Sequence, residues 1–280
     1  MTPNPVAADG HRLTLMAVHA HPDDEATSTG GALARYAAEG IRTIVVTCTD
    51  GELGNAPNGA APGDPGHDEE LVKQHRRAEL ERSCELLGVS DLELLGYHDS
   101  GMMGWPQNDA PHAFWNTPVT EAAERLVSLM EKYRPDVVLT YDENGFYGHP
   151  DHIQANRVTV AAVSETGIPR KLYYPVIPLS AMTGFAEALL SAGVEPPREA
   201  TDALDFGTPD ELIAAYIDCT AYAETKFRAL EAHGSQTDNS FFLDLGLELF
   251  KQVFSTEAYV RARDTTGHAT PEDDLFAGLR

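Results

Sequence analysis

At 280 residues with 42% hydrophobic content, the chain is long enough to bury a full core, and its composition argues against disorder. A formal net charge of −24 argues against nucleic acid or an anionic membrane as partner, because both repel such a surface; it is read instead as a solubility feature. Cys48, Cys84 and Cys219 are far apart and form no CxxC pair, which disfavours a cysteine-built metal site and makes Cys48 and Cys84 reduced core residues. Met1–Pro5 has no basic region followed by an apolar stretch, and no run reaches the ~18 apolar residues of a membrane span, so a cytoplasmic protein is expected.

In chain order, Leu13–Val18 reads as a buried strand and Thr29–Glu39 as a helix closed by Gly40. Ile41–Thr49 is β-branched and apolar, a second buried strand. Residues 51–67 are rich in Gly and Pro without periodicity and form a loop; a long helix over about Glu69–Leu87 is stopped by Gly88. Leu92–Leu95 is a short strand, Gly101–Asn116 a long loop, Thr120–Tyr133 a helix and Val137–Tyr141 a strand, followed by a helix over about residues 151–164. Beyond residue 165, Lys171–Ile177 resembles a strand and Ser191–Phe206 a loop, and a helix including Ala214–Arg228 is expected within Pro209–His233.

Repeated β-α units predict an α/β fold with a Rossmann-like, mostly parallel sheet flanked by helices. Residues 1–165 are expected to form the catalytic core, and residues 166–280 a C-terminal extension packed on it and lining the pocket. Ligands of such sheets collect beyond the carboxyl ends of the strands. Two His/Asp-rich turns follow predicted strands there: His21-Pro-Asp-Asp-Glu25, and Gly148-His-Pro-Asp-His152. No GxGxxG follows any strand, which makes a dinucleotide site the weaker use of that edge.

These turns carry the donors of a mononuclear zinc hydrolase, which needs three protein ligands and an open fourth position. His21, Asp24 and His152 are the expected ligands. His19 would share a face with His21 in an extended chain, but it lies within the strand and is read as a hydrogen-bonded core or supporting residue. Asp23, diverging from Asp24 in the turn, is placed as general base towards the attacking water. His149, three residues before His152, faces the site as a protonated imidazole that stabilises the oxyanion or protonates the leaving amine. Asp151 either orients His149 or caps the following helix, with capping preferred. Asp99 follows a strand and suits a sugar hydroxyl, while Glu25 and Asp50 anchor backbone at their turns. The other histidines, His98 and His233 among them, are read as surface or packing residues.

Ala20-His-Pro-Asp-Asp-Glu25 with Gly148-His-Pro-Asp-His152 resembles the zinc-dependent N-deacetylases related to N-acetylglucosaminyl-phosphatidylinositol deacetylase, the PIG-L/LmbE-like family. The likeness is greatest to the mycothiol-pathway branch, which contains an N-acetylglucosaminyl-inositol deacetylase and a mycothiol S-conjugate amidase. It extends through Thr49–Glu52, Arg76–Leu80, Asp99–Met102 and Tyr141–Gly145, and returns at Pro271–Phe276. The resemblance implies the same ligand set, one Zn ion per chain (iron being the cellular alternative), Tyr147 as the phenol that stabilises the oxyanion, and Arg76 as an arginine reaching the sugar-side pocket. Amidases of the branch tend to carry a lysine three residues after the pentad, where this chain has Ser28. The expected function is therefore hydrolysis of the acetamide of an N-acetylglucosamine-containing small glycoside, N-acetylglucosaminyl-inositol being favoured. The alternatives are a mycothiol S-conjugate amidase, a sugar deacetylase of antibiotic maturation and, outside enzymes, a metal-binding module without turnover. The expected partner is a small amino-sugar substrate, and a homo-oligomer is compatible with the sequence.

Overall fold

A computed structural model describes residues 6–7, 10–191 and 207–280. Seven strands form one sheet in the order β3-β2-β1-β4-β5-β7-β6. The first five, β1 (Thr14–His19), β2 (Arg42–Thr49), β3 (Asp91–Tyr97), β4 (Val137–Leu139) and β5 (Lys171–Val176), run parallel to one another. Such strands are covered on both faces, which is why β1 and β2 are almost continuously apolar. In β1, Leu15 and Ala17 point into one core, while Met16 and Val18 point into the other.

Helices α1 (Asp24–Ala38) and α2 (Glu69–Leu87) pack on the first face, and α3 (Val119–Tyr133) and α5 (Pro150–Thr166) on the second. The short α4 (Gly145–Gly148) joins β4 to α5, and α6 (Leu179–Ser191) follows β5. The cap of α2 is made by Asp68, whose side chain accepts from the Leu71 amide at 3.1 Å, and Gly88 closes the helix in the left-handed conformation. All three cysteines are buried and free.

Two expectations are corrected. Helix α1 begins at Asp24 rather than Thr29, because the Asp23 carbonyl accepts from Ala26 and Thr27, so the pentad itself is the first turn. The helix expected over Ala214–Arg228 is divided. Ala215–Asp218 is an edge strand, β6, and only Ala223–Glu231, α7, is α-helical. Ala215 and Ile217 are buried and Tyr216 and Asp218 exposed, a period of two that four residues could not announce inside an alanine-rich stretch. What holds them extended is pairing with β7 (Thr256–Asp264), antiparallel to both β6 and β5. The loop expected over Ser191–Phe206 lies, from residue 192, outside the described residues.

The C-terminal tail returns to the core. Leu275 and Phe276 are buried against Tyr36 of α1, and Glu272 meets the ammonium of Lys171 at 2.6 Å in a fully buried pair.

Candidate active site

Both His/Asp turns lie at the carboxyl edge of the sheet, one after β1 and the other opening α5. Three donors converge between them. His21 Nδ1 lies 3.3 Å from His152 Nε2 and 3.4 Å from Asp24 Oδ2, and His152 Nε2 lies 3.6 Å from Asp24 Oδ1. Nitrogen and oxygen donors bound at about 2.0–2.1 Å on a tetrahedral ion stand about 3.3 Å apart, so the set already has the spacing of a divalent-metal site. Two of the three donors are also braced by hydrogen bonds. The Asp24 Oδ2 atom accepts from the His21 amide at 2.8 Å and from the Tyr141 hydroxyl at 2.6 Å, leaving Oδ1 directed at His152. His21 Nε2 contacts Asp151 Oδ2 at 3.2 Å, which places the ring proton there and frees Nδ1 as a donor.

A wider group of His21, Asp99, His149 and Asp151 also has ligand atoms within 4.8 Å of one another. Its members are otherwise engaged. Asp151 accepts from the Ser100 amide at 2.8 Å and from the Ser100 hydroxyl, and His149 Nδ1 accepts from the Asp151 amide at 3.1 Å. The cap of α5 is thus the His149 ring and not the Asp151 carboxylate, which corrects the capping role expected for Asp151.

The electrostatics follow from burial without solvent. Burial opposes the His21 imidazolium, but Asp99, Asp151 and Asp24 outweigh it and hold its pKa well above the usual value. Burial likewise opposes the Asp24 carboxylate, yet His152 and His21 prevail and hold its pKa well below the usual value. Burial, reinforced by the neighbouring His21 and His152 rings, takes His149 down to about 2. The protonated His149 of the sequence reading is therefore corrected to a neutral ring. With Nδ1 accepting a hydrogen bond, its single proton sits on Nε2.

Asp23 stands beside the donors with φ 123°, a conformation that an L residue adopts only under constraint. The constraint is visible. Its amide donates to Glu25 Oε2 at 3.0 Å, and its Oδ2 lies 3.3 Å from Arg76 Nη2 and accepts from Asn239 Nδ2 at 3.2 Å. Burial raises its pKa to about 6, against the pull of Arg76 and with a further push from Asp24. Arg76 is buried and also donates to the carbonyls of Gly51, at 2.8 Å, and Pro22. A Cβ at Gly51 would stand 2.7 Å from Arg76 Nη1, so glycine is what admits the guanidinium.

Glu25 is held in turn by Ser83 and by His233 Nε2 at 2.7 Å, with neither side chain of the Glu25–His233 pair exposed. Glu25 anchors its turn as expected. His233 and Asn239 come from the C-terminal third, and neither sits in a motif. Sequence had only one weak signal for His233, a histidine closing a helix with an apolar face.

Asp99 is buried, its Oδ1 accepting from the Gly101 amide at 2.8 Å and lying 3.8 Å from His21 Nε2. Tyr147 is 42% exposed at the rim, its ring edge-on to His152 with centroids 5.1 Å apart. His19 donates or accepts at Thr29 Oγ1, 2.9 Å away, and is a hydrogen-bonded core residue as expected. Asp50 pairs with Lys73. The two long loops meet over Gly101, where a Cβ would approach Trp105 Cε3 at 2.7 Å and Leu53 Cδ1 at 3.5 Å.

Residues 16–163 match the family model described as PIG-L, GlcNAc-PI de-N-acetylase. The chain belongs to the PIG-L family. Two proteins named 1D-myo-inositol 2-acetamido-2-deoxy-alpha-D-glucopyranoside deacetylase are similar over nearly their whole length. That of Acidothermus cellulolyticus is 44% identical over 278 residues, covering 95% of each chain, and that of Geodermatophilus obscurus is 42% identical over 287 residues, covering 95% of this chain and 97% of the relative. Among solved structures, N,N'-diacetylchitobiose deacetylase of Pyrococcus horikoshii shares the fold at 21% identity with a TM-score of 0.57, covering 92% of this chain and 86% of that one. A 4-carboxy-2-hydroxymuconate hydratase from Pseudomonas putida superposes with a TM-score of 0.61 at 19% identity, covering 92% and 99%. The same fold thus occurs with a differently named reaction, so fold alone does not choose the chemistry.

Proposed function

We propose that this PIG-L family enzyme is a zinc-dependent N-deacetylase that hydrolyses the acetamide of N-acetylglucosaminyl-inositol, releasing acetate and the free amine. The observation that carries the reading is the juxtaposition of a three-donor set, His21, Asp24 and His152, with a constrained carboxylate of raised pKa, Asp23. A pure metal binder has no use for that carboxylate. The substrate rests on relatives at 42–44% identity along nearly the whole chain, and on Ser28 where amidases tend to have lysine.

A divalent ion on the three donors supplies Lewis-acid polarisation of the amide and lowers the pKa of water. Asp23 takes the proton of the attacking water. Its Oδ2 is occupied by Arg76 and Asn239, which leaves Oδ1 for that proton. A pKa near 6 suits it, since the group is ionised at neutral pH yet basic enough to accept. The neutral Nε2–H of His149 donates towards the amide oxygen as charge develops there, and the Tyr147 phenol is assigned the same task from the rim. As the C–N bond breaks, the nitrogen must gain a proton, which Asp23 now carries. Asp99 and Arg76 are assigned to hydroxyls of the sugar and aglycone.

The test is an assay of the metal-loaded protein by primary-amine detection, comparing kcat/KM on N-acetylglucosaminyl-inositol and on a mycothiol S-conjugate in one buffer. Preference for the inositol glycoside is expected. Preference for the conjugate would replace the deacetylase reading with the amidase one, and no turnover of either would end both.

A further inference from the structure

The opposite edge of the sheet carries a feature that deacetylation does not use. Where β1, β2, β4 and β5 begin, a cavity of about 550 Å³ is lined by five cationic side chains, Arg12, Arg42, Lys132, Arg134 and Arg170. The six residues of β1 separate it from the catalytic turns by about 20 Å, at the usual rise of a strand. Such a collection stands out in a chain with 20 Lys and Arg against 44 Asp and Glu.

The carboxylates around it neutralise it only in part. Asp136, on its wall, is already taken by the Thr14 amide at 2.9 Å and by His11 at 2.8 Å. Arg42 pairs with Asp91 at 2.8 Å and Lys132 with Glu93 at 2.7 Å, and the Arg12 Nε donates to the Gly40 carbonyl. The guanidinium groups of Arg134 and Arg170 have no hydrogen-bond or ion-pair partner among the described residues. Arg134 is also one of only three non-glycine residues with positive φ among those described, at φ 48°, ψ 59°, where it caps α3. The cap amide donates to the Met130 carbonyl at 2.8 Å, which fixes the backbone of Arg134 on the cavity wall and leaves its guanidinium exposed.

We infer that this cavity binds a compact oligophosphate anion. Two free, planar guanidinium forks match phosphate oxygens in bidentate fashion, and a ligand with several charges satisfies both at once. Two aromatic rings line the cavity, and that of His11 is tied through Nε2 to Asp136 at 2.8 Å. The Tyr133 ring is buried and already covered by the cations of Arg42 and Lys132, 4.7 and 4.5 Å from its centroid. The recognised chemistry is therefore the phosphate chain itself, whether free or as part of a nucleotide.

Equilibrium dialysis of labelled pyrophosphate against the full-length, metal-loaded protein at 150 mM NaCl tests this. Pyrophosphate also sequesters metal ions, so the same titration is made on the Arg134→Gly/Arg170→Gln variant, in which that competition is unchanged. Arg134→Gly relaxes the positive φ, so lost binding in this variant does not reflect lost folding. Its melting temperature should be at least that of the parent protein, and its deacetylase rate without added anion should match. One pyrophosphate per chain is expected, with affinity at least about tenfold weaker in the variant, the scale of one charge-assisted hydrogen bond. ATP binding no tighter than pyrophosphate would indicate an inorganic oligophosphate, and tighter ATP binding the phosphate tail of a nucleotide. Equal affinity in the two proteins, complete displacement by equimolar sulfate, or tighter binding of citrate would overturn the inference.

Discussion

The Asp23 residue is held by three side chains, two of them remote in sequence. Arg76 and Asn239 hold its oxygen, and Glu25 holds its amide. Asp23→Asn keeps the shape and leaves the three donors untouched. Metal content should persist, by elemental analysis, while turnover falls at least ~10²-fold, the usual scale for a lost general base. The pKa of Asp23 is raised, so the active carboxylate is present above about 6 and is lost as pH falls through that value. The parent enzyme should therefore show an acid limb in kcat/KM near pH 6, absent from the residual activity of the variant. Arg76 has two assignable tasks, and a pair of variants separates them. Asp99→Ala should weaken kcat/KM for the glycoside far more than for a minimal N-acetyl sugar, because only the larger substrate uses the contact. Arg76→Ala should reduce turnover of both, since its guanidinium also fixes the Pro22 and Gly51 carbonyls and the base. An Arg76→Ala enzyme impaired only on the glycoside would confine this residue to substrate binding.

Among elements, the catalytic turn is clamped by segments that come late in the chain. His233, just beyond α7, neutralises Glu25 inside the protein. Burial opposes both charges, but each partner outweighs it, raising the His233 pKa and lowering that of Glu25. His233→Ala leaves Glu25 buried without a counter-charge, and such truncations cost about 3–5 kcal/mol. A loss of that order in denaturant midpoint, with turnover reduced through the displaced Asp23 amide, is the expected result. The C-terminal tail is clamped to α1 by Asp274, which accepts from Tyr36 Oη and the Phe276 amide at 3.0 Å each and from Arg280 Nε at 2.7 Å. Burial pushes the Asp274 pKa up, but Arg280 and the other donors prevail and lower it. A depressed carboxylate contributes stability that is complete above its unfolded value near 3.8 and is lost as pH falls through the folded one. Asp274→Asn should therefore lower the melting temperature at pH 7 and converge with the parent protein towards pH 3. A difference that persists unchanged at pH 3 would mean that hydrogen-bond geometry, and not charge, holds the tail.

The whole molecule divides its chemistry between the two edges of one sheet. The carboxyl edge collects carboxylates and imidazoles around His21, Asp24 and His152, and the amino edge collects five cationic side chains, of which Arg134 and Arg170 have no ion-pair partner among the described residues. Since β1, α1 and α5 each position part of the donor set, a bound metal ties these elements together. A ligand that binds only the native state stabilises by about 4 kcal/mol at a thousandfold excess over its Kd. Chelation should then abolish turnover and lower the melting temperature, and zinc should restore both. His152→Ala should lose this metal-dependent shift. A His152→Ala protein whose melting temperature still rises with zinc, at full occupancy, would remove His152 from the ligand set. Among the described residues no helix is long and apolar enough to cross a membrane.

The amino-acid sequence by itself determined the parallel strands of the sheet and the edge at which His21, Asp24 and His152 come together. Apolar runs such as Leu13–Val18 and Ile41–Thr49 have no stable alternative to burial on both faces, and the turns after β1 and between β4 and α5 leave His21, Asp24 and His152 little choice of edge. These are local signals, each written within about ten residues. Tertiary structure decided what such signals could not carry. Ala215–Asp218 is a strand because β7 supplies its hydrogen bonds, and Asp151 backs His21 because His149 has taken the helix cap. His233 and Asn239 act on the catalytic turn across more than two hundred residues, with no motif to mark them. Contacts of that separation depend on how the chain returns to itself, and a reading limited to neighbouring residues has no term for them.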